Sequence, residues 1–137
     1  MYERAFKLKI IAPDRVLYDS GATSLSAPGV CGGFQVLYNH APLLSALEVG
    51  RMKVKDLGGT DSVYATSGGF VEVRDNTVVV LVESAERAGE IDVERAEAAK
   101  TRALERLRGV GEGIDLARAR AALERAMNRL RIAARIS

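Results

Sequence analysis

The stretch Asn76-Thr-Val-Val-Val-Leu-Val-Glu-Ser-Ala-Glu-Arg-Ala-Gly-Glu90 divides the chain in two. Its first half is a continuous β-branched and aliphatic run, Asn76 to Val82, which reads as a strand buried on both sides. From Ala85 onward Ala, Glu and Arg take over and β-branched residues become rare, the composition of helices. Residues 1–87 therefore read as strands and residues 88–137 as a helical unit.

Working back from Asn76, Phe6-Lys-Leu-Lys-Ile10, Met52-Lys-Val-Lys55 and Phe70-Val-Glu-Val-Arg74 alternate apolar with charged side chains, the pattern of half-buried strands. Turn signals at Ala12-Pro-Asp14, Asp19-Ser-Gly21, Pro28-Gly29, Gly58-Gly59, Gly68-Gly69 and Asp75-Asn76 separate the runs. Nine of the 13 glycines precede residue 88, where the tight turns fall. Short strands with turns at this interval predict a sandwich or barrel.

Working forward, helices are expected at about 91–108 and 114–135. Asp92, Glu94 and Glu97 open the first and Arg106 and Arg108 close it, complementing the helix dipole. Gly109-Val-Gly-Glu-Gly113 stops it and Asp115 helps restart the second, so an antiparallel hairpin is expected. On the second helix Leu116, Leu123 and Leu130 share a stripe, with Met127 and Ala119 beside them. Arg118, Arg125 and Arg129 fall nearly opposite, mixed with Ile114, Ala121 and Ile132. On the first, Ala99, Ala103 and Leu107 make a narrow apolar stripe beside Arg95, Arg102 and Arg106. Alanines bury little area each, so the hairpin is expected to be weakly held and able to open.

Composition narrows the chemistry. The 137 residues are 47% apolar and 5% aromatic without Trp, so the core must be aliphatic. Residues 1–90 carry 9 basic and 11 acidic groups; residues 91–137 carry 11 basic and 7 acidic, giving +2 overall. A basic tail on a slightly acidic body suggests different partners for the two parts. Cys31 stands alone, which excludes an internal disulfide and suggests a small buried apolar group. His40 is also alone, too little for a zinc site, and reads as a loop residue bonded to backbone. No run is long enough to span a membrane, and Met1–Lys7 lacks the apolar region of a signal peptide. The glycine clusters lack the residues and the strand–helix context of a phosphate loop.

Two features keep alternative readings. The arginine stripe is either a solvated face or a surface for an acidic protein or a polyphosphate. Arg favours bidentate carboxylate and phosphate contacts, while the arm lacks stacking aromatics for nucleic acid and large apolar anchors for lipid. Asp92 and Arg95, three apart, are either a surface ion pair or a polar pocket in which Asp accepts from an amine or hydroxyl and Arg meets phosphate.

Four blocks carry a resemblance. Gly32-Gly-Phe-Gln-Val-Leu-Tyr-Asn-His-Ala-Pro-Leu-Leu44, Ala46-Leu-Glu-Val-Gly50, Ser67-Gly-Gly-Phe-Val-Glu-Val73 running on to Asn76, and Ile91-Asp-Val-Glu-Arg-Ala96 resemble, in order and spacing, the ATP synthase epsilon subunit family over essentially the whole chain. Departures are Tyr38-Asn39, where Pro-Gly is commoner, and Cys31. The resemblance implies a two-sheet sandwich of about ten strands, docked to a gamma subunit and resting on a c-ring through a loop holding His40 and Pro42. It implies a non-catalytic subunit of a proton-translocating rotary complex. Its helical arm would extend to inhibit ATP hydrolysis, meeting an acidic segment of the beta (and alpha) subunits through Arg118, Arg131 and Arg135. It implies ATP as a regulatory ligand of the folded arm, held by Glu86, Ile91, Asp92, Arg95, Ala96, Arg102, Arg125 and Arg129, with no required cofactor. Contact with the membrane would be indirect, through the complex, on the cytoplasmic face of a bacterial cell membrane, with a thylakoid membrane as the alternative. A free-standing ATP-binding sensor is the competing function.

Overall fold

The computed structural model describes residues 4–109 and 115–135. Nine strands come first: β1 (Phe6–Ala12), β2 (Arg15–Gly29), β3 (Gly32–Val36), β4 (Leu43–Leu47), β5 (Gly50–Asp56), β6 (Asp61–Thr66), β7 (Gly69–Arg74), β8 (Thr77–Val82) and β9 (Ala85–Arg87). A 3-10 turn, Ala88–Glu90, leads to α1 (Val93–Arg108) and α2 (Leu116–Arg135). The expected sandwich and helical hairpin are both present. The strands form one hydrogen-bonded path, β1-β8-β7-β4-β2-β5-β6-β9, with β3 on β2 and β1 also on β2.

The continuity comes from the length of β2. Its first half pairs with β1, Phe6 opposite Ala22, and its second half lies between β3 and β5, with Leu25 opposite both Val36 and Val54. A register break between Ala22 and Ser24 marks the bend from one layer into the other, which is what a bulge does to a strand. β1 and β8 run parallel, and every other pair is antiparallel. The alternating strands turn Leu8, Ile10, Met52, Val54, Val71 and Val73 inward, as their period requires.

β8 departs from expectation. Val78, Val80 and Val82 are buried, but Leu81 between them is 52% exposed, so the run is not buried on both faces. Phe70, its partner on β7, is 56% exposed, and Leu44 on β4 is 72% exposed. These three side chains share the outer face of β4, β7 and β8. The hairpin joining β7 to β8 is set by Asp75 and Asn76, both at positive φ, the conformation of a two-residue turn that matches strand twist. Asn76 then ties two neighbours: its Oδ1 accepts from Asn39 N (2.7 Å) and its Nδ2 donates to Ala5 O (2.9 Å).

The helices also correct the expected packing. Asp115 caps α2, its Oδ1 accepting from Arg118 N at 3.0 Å, as anticipated. The buried positions are Ala96 and Ala103 on α1 and Ala119, Ala126, Asn128 and Ile132 on α2, and the alanines of each helix are seven residues apart. Leu116 and Met127 are exposed, and Leu123 and Leu130 only half-buried, so the leucine stripe is not the seam. Alanines let two backbones approach closely, which leaves the longer leucines at the margin. The expected positions of Ile114 and of the link residues 110–113 lie outside the described residues. Cys31 is exposed in the turn between β2 and β3 rather than buried.

Candidate functional site

The arm meets the sandwich along the C-terminal half of α2, against β5, β6 and the 3-10 turn. The apolar part of this junction is small. Ala65, Ala88, Ile91 and Ile132 are buried together, with Val63 and Ala133 at the edge. Two polar contacts flank it. Asn128 Nδ2 donates to Gly50 O at 2.9 Å, and the Arg129 guanidinium pairs with the Glu86 carboxylate.

Beside these contacts runs a narrow slit lined by Ala65, Thr66, Ser67, Arg125, Asn128 and Arg129, too tight to take a water molecule. The sandwich hydroxyls are already engaged. Thr66 Oγ1 accepts from Gly68 N (3.3 Å), and Ser67 Oγ lies 2.7 Å from Ser84 Oγ. Arg125 and Arg129 are half-buried, so their charge is less screened than that of the exposed arginines on either helix. Two guanidinium groups at a slit between the helix and the sandwich can hold a carboxylate or a phosphate oxygen.

The residues singled out in the sequence divide into groups. Glu86, Arg125 and Arg129 come together across the junction. Ile91 is a member of the apolar cluster and Ala96 is buried on α1, so both act through packing. Asp92 and Arg95 are not a surface ion pair. Asp92 is the N-cap of α1, and its Oδ1 accepts from the backbone N of Arg95 at 3.0 Å. Arg95 and Arg102 are exposed and seven residues apart, hence on one side of α1. Arg118, Arg131 and Arg135 are exposed on α2, away from the apolar cluster. His40 is half-buried, its Nδ1 donating to Ala41 O at 2.6 Å as a backbone-bonded loop residue, with Pro42 exposed beside it. Among the described residues no cluster of His, Cys, Asp or Glu could hold a metal ion, and no helix is long and apolar enough to cross a membrane.

Thr66, Ser67 and Asn128 were not legible as site residues. The two hydroxyls belong to strand sequence and reach the junction only through the pairing of β6 with β5 and β9. Asn128 had a signal: it is the one uncharged polar residue between Leu116 and Arg135, and asparagine is a poor choice inside a helix.

Comparison with known proteins agrees with this architecture. Residues 5–88 match the β-sandwich domain of the ATP synthase delta/epsilon chain, and residues 90–134 match its long α-helix domain. The ATP synthase epsilon chain of Pelotomaculum thermopropionicum is 50% identical over 107 residues, 78% of this chain and 79% of that protein. The epsilon chain of Nitratidesulfovibrio vulgaris is 48% identical over 112 residues, 82% and 83% of the two chains. In fold, the chain resembles one in the Euglena gracilis mitochondrial ATP synthase, with a TM-score of 0.80 at 24% identity over 90% of this chain and 78% of that one. With both domain models matched in sequence and relatives named as epsilon chains at about half identity over most of their length, the chain belongs to the ATP synthase delta/epsilon chain family.

Proposed function

We propose that the arm alternates between the docked state described above and an extended state that stops ATP hydrolysis, with ATP favouring the docked state. The observation that carries this reading is how little fastens the arm. Among the described residues, the apolar contact of α2 with the sandwich is a small cluster around Ile132 and Ala133, flanked by the Asn128–Gly50 hydrogen bond and the Glu86–Arg129 ion pair. Glu86 and Arg129 are 29% and 32% exposed, and a partly exposed pair contributes only about 1 kcal/mol. Such a footing can open at modest cost, as a switch needs.

ATP would act by differential affinity for the docked arm. Arg129 and Arg125 would meet phosphate oxygens, Arg129 leaving Glu86 to do so, with Arg95 and Arg102 completing the charge from α1. Asp92 spends one carboxylate oxygen on its cap and keeps the other for an amine or hydroxyl. In the extended state Arg118, Arg131 and Arg135 would face an acidic surface of the beta (and alpha) subunits. The open apolar face of β4, β7 and β8 fits a gamma-subunit contact, because exposed contiguous apolar surface marks interfaces. The loop around His40 and Pro42 would rest on the c-ring. The complex would sit at the cytoplasmic face of a bacterial membrane.

Calorimetry of the full chain with ATP tests the sensor. Binding heat is expected in wild type and not in Arg95→Ala. Absence of heat at about millimolar ATP, a Kd worth about 4 kcal/mol, removes the sensor and leaves the stalk role. Truncation after Arg87 in the assembled complex tests the inhibition: hydrolysis should rise, and an unchanged rate refutes the extended inhibitory state. Capture of a gamma subunit by this chain separates a stalk subunit from a free-standing sensor.

A further inference from the structure

Asn128 has no part in the ligand set above, yet it is the most buried polar side chain of the arm, at 7% exposure. Its amide reaches Gly50 O, the first residue of β5, at 2.9 Å. That acceptor is fixed in place. Gly50 pairs with Thr66, and a Cβ at Gly50 would lie 2.6 Å from Pro28 Cβ, so the backbone there is wedged against a rigid neighbour. A donor suits this carbonyl; a leucine of similar size would forfeit the bond, and a carboxylate would repel it.

The position of Asn128 on α2 gives the bond its leverage. Ile132, one turn later, enters the apolar cluster with Ala65, Ala88 and Ile91. An apolar contact tolerates a roll of the helix about its axis, whereas a hydrogen bond is directional and does not. Arg125 lies one turn before Asn128 and Arg129 directly after it. A small roll would carry both guanidinium groups off the slit and part Arg129 from Glu86.

We propose that Asn128 is a positioning residue: its bond to Gly50 O sets the rotation of α2 on the sandwich, which aims Arg125 and Arg129 at the junction and keeps the arm docked with no ligand bound. The physiological meaning of docking rests on the arm reading above, but the bond can be tested without nucleotide or complex. The measurement is hydrogen exchange of residues 125–135 in the full chain, compared for wild type, Asn128→Ala and Asn128→Leu at low and at high salt. The sandwich strands β7 and β8 serve as the folding control.

Exchange of this segment should be about tenfold faster in both variants, with β7 and β8 unchanged. A second expected mark is salt. The Glu86–Arg129 pair should make wild-type protection fall between about 0.02 and about 0.5 M salt, and that response should vanish in Asn128→Leu once the pair is misaligned. Loss of protection, or of the salt response alone, supports the positioning role. Wild-type protection and wild-type salt response together in Asn128→Leu overturn it. If the variant undocks the arm but hydrolysis in the complex does not change, the inhibitory reading fails and the positioning role stands.

Discussion

Tyr64 is fully buried in the sandwich, and its hydroxyl has no hydrogen-bond partner among the described residues. The Arg87 guanidinium lies over its ring, 5.9 Å from the centroid, and its interaction with the Tyr64 hydroxyl is the chief cause that raises the Arg87 pKa. A buried unpaired hydroxyl costs about 1 kcal/mol or more. Tyr64→Phe should therefore leave the thermal midpoint nearly unchanged if Arg87 uses only the ring face; a clear fall in a calorimetric scan would show that the hydroxyl is the part Arg87 uses. Gly69 is the opposite case. Its φ is +151°, and a Cβ there would sit 2.0 Å from Leu81 O, so Gly69→Ala should cost on the order of 3 kcal/mol in denaturant unfolding. At Tyr18 the hydroxyl donates to Gly21 O at 2.6 Å, and burial together with nearby Asp56 raises its pKa above the ordinary 10.0. Folding thus favours the neutral phenol. Its contribution is fully present below the unfolded pKa and is lost as pH rises through the folded value. Tyr18→Phe should flatten the alkaline limb of stability against pH, above about 10.

At the scale of elements, the cap of the second helix was readable and the helix faces were not. Asp92 and Asp115 both cap through Oδ1 to the third residue on, a local rule that needs no tertiary information. This cap complicates Asp92 as a ligand, because Asp92→Ala should weaken α1 by about 1 kcal/mol whether or not ATP binds. Asp92→Ser separates the two roles. It keeps a capping oxygen, so circular dichroism should show undiminished helicity, while the calorimetric ATP signal should be lost; retained ATP heat would mean that Asp92 serves only as a cap. The burial of Ala119, Ala126, Asn128 and Ile132 was not foreseeable from the leucine stripe. One helix in this arm faces two neighbours, α1 and the sandwich, and hydrophobic periodicity averages two faces into one. The 3-10 turn before α1 was likewise hidden, because Ala88-Gly-Glu90 suits a turn and a helix start equally well.

For the whole molecule, the outer face of β4, β7 and β8 is the open question that β8 poses. Its sequence asks for burial on two sides, and the isolated chain supplies one. Leu81→Glu and Phe70→Glu should change stability by no more than about 0.5 kcal/mol, since both side chains already face solvent. Each should nonetheless abolish capture of a gamma subunit in a pull-down. Normal capture would move the interface elsewhere on the sandwich. The arm and this face lie on different strands, β5, β6 and β9 for the arm and β4, β7 and β8 for the face. A contact made through this face would leave the junction of the arm with the sandwich untouched.

Local pattern alone determined that this chain is strands followed by two helices, which residues of the alternating strands face inward, and through four sequence blocks the family. Those signals are short-range: period, cap chemistry, turn residues and motif order all lie within a few positions. Tertiary structure decided the rest. It joined the two layers through β2, turned Leu81 outward, placed alanines instead of leucines in the helical seam, and brought Glu86 on β9 to Arg129 on α2. It also set Asn128 against Gly50, 78 residues away. Each of these depends on which surfaces meet across the fold, and a contact between distant segments leaves no period in either of them.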